Sequence, residues 1–214
     1  MPAWLNPKSI DFPPYQLADE DGLLALGGDL SPARLLQAYR KGIFPWYGQD
    51  LPILWYCPDP RFVLFPEKIR VSKSMKQVFD KHTFEITRNK AFAETIRYCA
   101  EVPRPGQDSS WLIPEMITAY EELHRLGFAH SIEAWQDGKL AGGLYGIRIG
   151  NCFFGESMFS HVSNASKAAF ITFVRVFEAE GGALIDCQVN TPHLESLGGE
   201  FIPRKQFLEL VKIN

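Results

Sequence analysis

The chain contains no run of 18 apolar residues, so no stretch of it reads as a membrane span. Its first residues, Met1-Pro2-Ala3-Trp4-Leu5-Asn6-Pro7, lack the basic segment and following apolar segment of a secretory signal. Cysteine is scarce and scattered. Cys57, Cys99, Cys152 and Cys187 include no Cys-x-x-Cys pair, which excludes a zinc site or disulfide framework and reads as reduced thiols in a cytoplasmic protein. The five histidines, His82, His124, His130, His161 and His193, lack ligand spacing and read as surface or hydrogen-bonded core residues, so no metal is expected. No Gly-rich loop follows a strand in the Walker or dinucleotide pattern. Excess positive charge is missing too. A net charge of −3 excludes a protein that coats nucleic acid through bulk charge.

A local basic window is nevertheless present. Between Lys68 and Lys90 seven cations, among them Lys68, Arg70, Lys73 and Lys76, face Asp80 and Glu85, a net +5. This is either a solvated helix face or a weak contact for a nucleic-acid backbone. With 46% hydrophobic residues and 16 Phe, the chain has ample material for a core.

Residues 1–61, rich in Pro, Gly and aromatics, read as a small N-terminal domain of largely irregular structure. One helix is expected there, capped by Ser31, entered through Pro32 and stopped near Gly42. Phe44, Trp46 and Tyr47 then supply either a small aromatic core or a stacking platform for a nucleobase. Residues 62–214 read as a second, larger domain. A short strand over 62–65, helices over 72–80, 91–100 and 114–126, and a strand over 84–87 precede a change of period. From Ser131 the period is two: strands over 131–136, 140–149 and 151–159 form an antiparallel meander. A helix over 164–180, apolar nearly all round, and a strand over 183–189 complete a βαβ crossover, which makes the last two strands parallel neighbours. This is the α+β plan of GNAT-like (acyl-CoA N-acyltransferase-like) domains, with a mixed, largely antiparallel sheet.

Glu156, Asp186 and Gln188 stand in segments that otherwise read as buried strands, where an unpartnered carboxylate is costly. Residues two apart on a strand share a face, so Asp186 points with Gln188 and Glu156 with Met158. Because the two strands are neighbours, Glu156 and Asp186 can open onto one cleft. The plainer alternative is that Glu156 caps a helix, or that Asp186 pairs with Arg148 or Arg175. The Gly-rich pyrophosphate loop of CoA-dependent acetyltransferases is missing before the long helix. In its place stands Ser160-His161-Val162-Ser163-Asn164-Ala165-Ser166-Lys167, so CoA is not expected.

The chain resembles the leucyl/phenylalanyl-tRNA–protein transferase family. The matching stretches include residues 22–31, 42–47, Pro58-Asp59-Pro60-Arg61, 129–133, Gly142-Gly143-Leu144-Tyr145-Gly146, 155–160, 164–167, 185–188 and 196–198, in the family's order. The resemblance implies transfer of Leu or Phe (Met less well) from aminoacyl-tRNA to proteins beginning with Arg or Lys, marking them for N-degron degradation. It implies a cytoplasmic enzyme without cofactor, here expected to be a monomer. Trp46 and Trp111 match the aromatics that hold the terminal adenosine of the tRNA, with Tyr120 and Thr191 beside the donor. Leu144, Phe153, Met158, Phe170, Phe173, Phe177 and Ile185 match the family's apolar pocket for the aminoacyl side chain. Glu156, Asp186 and Gln188 match its polar reaction centre. Two departures bear on the pocket and the donor site: Phe170, where Leu also occurs, and Thr191, where Asn also occurs.

The chemistry is consistent with these residues. The donor ester is already activated, and an acceptor α-amine, which ordinarily titrates at about 7.7–8.0, is partly neutral at pH 7. Positioning, removal of one proton and stabilisation of the oxyanion remain. On this reading Asp186 holds the amine directly or through Gln188. Two other classes stay open at this point: a GNAT relative with another donor, such as cell-wall peptide aminoacyltransferases, and a tRNA-binding module that retains charged tRNA without transfer.

Overall fold

The computed structural model describes residues 2–102 and 112–212. Strands β1 (Ala3–Trp4) and β2 (Leu23–Leu26) come first, then helix α1 (Pro32–Arg40) and strands β3 (Phe44–Pro45) and β4 (Leu54–Tyr56). The four strands form a small sheet in the order β1-β2-β4-β3. The sequence pattern shows none of them, because strands of two to four residues are too short to display a period. Ser31 caps α1 by accepting from the Arg34 N–H, and Pro32 occupies the first helical position.

The remainder is built on β5 (Arg61–Leu64), α2 (Lys73–Asp80), β6 (Glu85–Arg88), α3 (Phe92–Glu101), α4 (Pro114–Arg125), β7 (Ala129–Gln136), β8 (Lys139–Ile149), β9 (Cys152–Ser160), α5 (Ala165–Ala179), β10 (Leu184–Gln188), α6 (Pro192–Ser196), β11 (Glu200–Ile202) and α7 (Arg204–Lys212). Seven strands make one sheet in the order β11-β5-β10-β9-β8-β7-β6. The expected meander β7-β8-β9 is antiparallel, and β10 joins β9 in parallel after the α5 crossover. This is the mixed, largely antiparallel sheet of an α+β fold. On one of its faces an apolar cluster gathers α5 residues (Phe170, Phe173, Phe177) with Leu64, Leu144, Phe153 and Ile185. The other face belongs to a second cluster, which joins Tyr145, Phe154, Met116 and Phe207 to Leu24, Tyr39 and Trp55 of the N-terminal sheet and α1.

Two irregularities in the central strands shape the site. Between β8 and β9, Tyr145 pairs with Ser157 but Gly146 pairs with Gly155, so Glu156 is an extra residue, a β-bulge. Between β5 and β10, Val63 pairs with Asp186 and Phe62 with Gln188, which leaves Cys187 as the extra residue. The parallel pairing of β9 with β10 ends at Phe154 and Asp186. Beyond that point the two strands part company, and a crevice forms at their carboxyl ends. Open sheets usually bind their ligands in such places.

Candidate active site

A cavity of about 530 Å³ lies in that crevice. The segments Gly155–Ser160 of β9 and Ile185–Val189 at the end of β10 form its two sides. Of the seven residues expected to form the apolar pocket, Leu144, Met158, Phe170 and Ile185 line it. Phe153, Phe173 and Phe177 do not. They pack on each other behind the wall, with Phe153 and Phe173 centroids 4.3 Å apart and Phe173 and Phe177 stacked at 5.4 Å. There they stiffen α5 against the sheet.

The expected sharing of a face by Glu156 and Met158 is overturned by the bulge. Met158 packs with the α5-side cluster, whereas Glu156 turns to the opposite side and meets Tyr39 of α1 and Tyr120 of α4. Nor does Glu156 cap a helix. The Tyr39 hydroxyl donates to Oε1 at 2.8 Å, the Tyr120 hydroxyl to Oε2 at 2.9 Å, and the Gln188 side-chain amide to Oε1 at 2.9 Å. The two tyrosine hydroxyls are themselves 2.7 Å apart.

Proton counting decides the state of this triangle. An ionised Glu156 leaves two hydroxyl protons for three oxygen–oxygen contacts, so two electronegative atoms would face each other without one. A protonated carboxyl supplies the third, and the ring closes: Glu156 donates to Tyr120, Tyr120 to Tyr39, and Tyr39 back to Glu156. Burial acts in the same direction. It lifts the Glu156 carboxyl to about 7, against hydrogen bonds from Tyr39, Tyr120 and Gln188 that favour the ionised form. Burial and the Glu156 charge also push both tyrosine hydroxyls well above their usual value, so they do not ionise near neutrality. The carboxyl is therefore poised to exchange a proton near pH 7.

Asp186 has a different partner from either candidate suggested by sequence. Neither Arg148 nor Arg175 reaches it. Arg61 on β5 does, with Nε 2.8 Å from Oδ1 and Nη2 2.6 Å from Oδ2. Both side chains are only 1% exposed. Oδ1 also accepts the Gln188 backbone N–H at 2.9 Å. Oδ1 thus accepts two hydrogen bonds and Oδ2 one, and Asp186 also lines the cavity. Gln188 sits at φ 61°, with the Val189 N–H donating to the Cys187 carbonyl across it at 2.7 Å. Such a backbone is unusual for a residue other than Gly, Asn or Asp, and it commonly marks a functional position.

Of the residues expected around the tRNA terminus, Trp46, Tyr120 and Thr191 sit on different segments. Trp46 follows β3, is 38% exposed, and meets Tyr56 edge-on at 5.9 Å. Trp111 lies outside the described residues. Tyr120 is buried beside Glu156, to which its hydroxyl is hydrogen-bonded. Thr191 is at the cavity edge, where its hydroxyl accepts the Leu194 N–H and caps α6. Lys68, Arg70, Lys73 and Lys76 lie outside the core, and Lys68 is paired with Glu200. No cluster of His, Cys, Asp and Glu suited to a metal is present among the described residues, and no helix among them is long and apolar enough to cross a membrane.

Two partners, Tyr39 and Arg61, are not singled out as site residues by sequence. Arg61 carries a signal all the same. It opens the apolar run Arg61-Phe62-Val63-Leu64, where an unpartnered cation is as costly as an unpartnered carboxylate.

Residues 63–212 match the family model for leucyl/phenylalanyl-tRNA protein transferase, and residues 28–59 match the model for its N-terminal domain. A leucyl/phenylalanyl-tRNA–protein transferase of Syntrophobacter fumaroxidans is 52% identical over 214 residues, which is 100% of this chain and 92% of the relative. One from Syntrophus aciditrophicus is 56% identical over 205 residues, 96% of this chain and 86% of the relative. Among solved structures, a GCN5-related N-acetyltransferase-like protein from Streptococcus suis aligns with a TM-score of 0.40 and 11% identity, over 78% of this chain and 61% of that one. A likeness that loose carries no argument.

Proposed function

The chain belongs to the leucyl/phenylalanyl-tRNA–protein transferase family, and we propose that it transfers Leu or Phe, and Met less well, from aminoacyl-tRNA to proteins beginning with Arg or Lys. The new peptide bond would mark those proteins for N-degron degradation in the cytoplasm. The observation that carries this reading is the pairing of an apolar cavity with the buried Glu156–Gln188 hydrogen bond on its wall. An apolar pocket selects an uncharged aminoacyl side chain, and one lined by Leu144, Met158, Phe170 and Ile185 separates near-isosteres by only about 1–3 kcal/mol, which accommodates Leu, Phe and Met together.

In the reaction the acceptor amine nitrogen attacks the ester carbonyl carbon, the bond to the ribose oxygen breaks, and one proton moves from nitrogen to the departing oxygen. Gln188, held at Nε2 by Glu156, offers its carbonyl oxygen to the attacking amine and orients it. Glu156, with a carboxyl near 7 and a tyrosine pair on both oxygens, gives or takes the proton without leaving a buried charge unpartnered. Asp186 serves through Gln188, whose backbone it holds. The donor's terminal adenosine would stack on Trp46 and Trp111, with Thr191 at the cavity edge. Arg70, Lys73 and Lys76 would touch the acceptor stem through its phosphates, without reading sequence. The test is transfer of labelled Leu or Phe from charged tRNA to a peptide beginning with Arg. No labelled peptide, with the donor ester shown intact, would refute the proposal.

A further inference from the structure

We propose that Arg61 is a positioning residue for the transfer: clamped between two aromatic rings, it holds Asp186, and through Asp186 it sets both the place of Gln188 and the electrostatic surroundings of Glu156. The inference rests on the aminoacyl-transfer reading of the same cavity. Arg61 does not line that cavity, so any part it plays is exerted through its neighbours.

The chain of contacts is short and unbroken. The Arg61 guanidinium lies 4.7 Å from the ring centre of Phe44 on β3 and 4.6 Å from that of Phe207 on α7. A cation between two rings is fixed in plane and height. Its Nε and Nη2 bind the two oxygens of Asp186 in a fork, the arrangement that constrains direction as well as distance. Asp186 Oδ1 then takes the Gln188 N–H, just where the strand bulges at Cys187 and Gln188 adopts its positive φ. From there the Gln188 amide reaches Glu156. The guanidinium's Nη1 is buried with no protein partner, so the fork and the rings are what hold it. A lysine at this position would keep the charge and lose the fork.

Charge gives a second line of support. Glu156 is faced by Tyr39 from α1, Tyr120 from α4, and Gln188 and Asp186 from β10, with Tyr145 of β8 behind the two tyrosines. Among these only Asp186 is an acid, and its negative charge opposes ionisation of Glu156. Arg61 stands directly behind Asp186 and offsets that influence. Removing Arg61 alone should therefore make Glu156 harder to ionise, and removing the Asp186 charge alone should make it easier.

The experiment compares Arg61→Lys, Arg61→Gln, Asp186→Asn and the double variant Arg61→Gln/Asp186→Asn with the wild-type chain. Two readouts are taken: transfer of Phe from charged tRNA to an Arg-initiated peptide across pH, and the Glu156 titration followed by carbon NMR. Arg61→Lys is expected to lower kcat by about 10²-fold, the scale of a misplaced reacting group, with KM for charged tRNA unchanged. Arg61→Gln should move the Glu156 titration to higher pH, Asp186→Asn to lower pH, and the double variant back to the wild-type position. If Arg61→Gln fails to fold, the other variants and the neutral pair of the double variant still decide the matter. Titrations that stay in place in the charge variants, or a loss in Arg61→Lys confined to KM, would reduce Arg61 to a folding residue. Absence of transfer by the wild-type chain would instead refute the functional reading, while the NMR titration would still report on Arg61.

Discussion

Replacing Glu156 with Gln should make the protein more stable at pH 8 and leave it nearly unchanged at pH 4. Burial places the wild-type carboxyl at about 7, against an ordinary value of 4.5. Between those two values the folded state holds a proton that the unfolded chain has released, so wild-type stability falls as pH rises through that window. The sign is opposite to that of an acid paired with a cation, whose contribution appears as pH rises. Each unit of difference corresponds to about 1.36 kcal/mol, so the penalty accumulates to about 3 kcal/mol by pH 8. A Gln at this position keeps a carbonyl acceptor and, in place of the acid's single O–H, offers an amide N–H that can close the same ring with Tyr39 and Tyr120, with a second N–H besides. It cannot ionise. The assay is urea unfolding of both proteins at intervals from pH 4 to 8, taking the difference at each pH so that every other titrating group cancels. The variant's advantage should grow steadily from near zero toward about 3 kcal/mol. A difference that stays flat would refute both the proton count and the raised carboxyl. In the same variant, transfer should fall by about 10²–10⁴-fold, the usual worth of a positioned acid–base group.

Three further outcomes follow from the geometry. Phe170→Leu enlarges the cavity wall and should favour Phe over Leu as the transferred residue by several-fold, about 1 kcal/mol, in a competition between the two charged tRNAs. Gly142→Ala would place a Cβ 2.7 Å from the Ala165 Cβ and 2.9 Å from the Ser166 nitrogen, pressing the first turn of α5 off the sheet. Its cost should be about 1–3 kcal/mol, read as a lowered melting temperature. Replacing Lys73 and Lys76 with Ala should flatten the slope of log affinity for tRNA against log salt by about 2, one for each phosphate no longer neutralised. An unchanged slope would remove α2 from the tRNA interface.

Much of the main sheet was legible because its strands are long enough to show a period. The meander, the α5 crossover and the parallel placing of β10 beside β9 all follow from alternation, a Gly-terminated helix and the handedness of βαβ units. The four-stranded N-terminal sheet was not legible, because its strands run to two, four, two and three residues and are held by neighbours, not by a pattern of their own. β11, of three residues, was missed as well, and so was α7, which carries Phe207 against the Arg61 guanidinium.

For the candidate site, sequence alone singled out three residues that need partners. A carboxylate or amide in an apolar strand must have a partner, and that rule by itself picks out Glu156, Asp186 and Gln188. Tertiary structure decided who the partners are and what each acid can therefore do. A single inserted residue in β9 turns Glu156 away from Met158 and into a pair of tyrosines from two different helices. Arg61, 125 positions before Asp186 in the chain, commits both oxygens of that carboxylate. Alternation along a strand says which way a side chain points only while the register holds. Here the register breaks at Glu156 and again at Cys187, on the two strands that open to form the cavity.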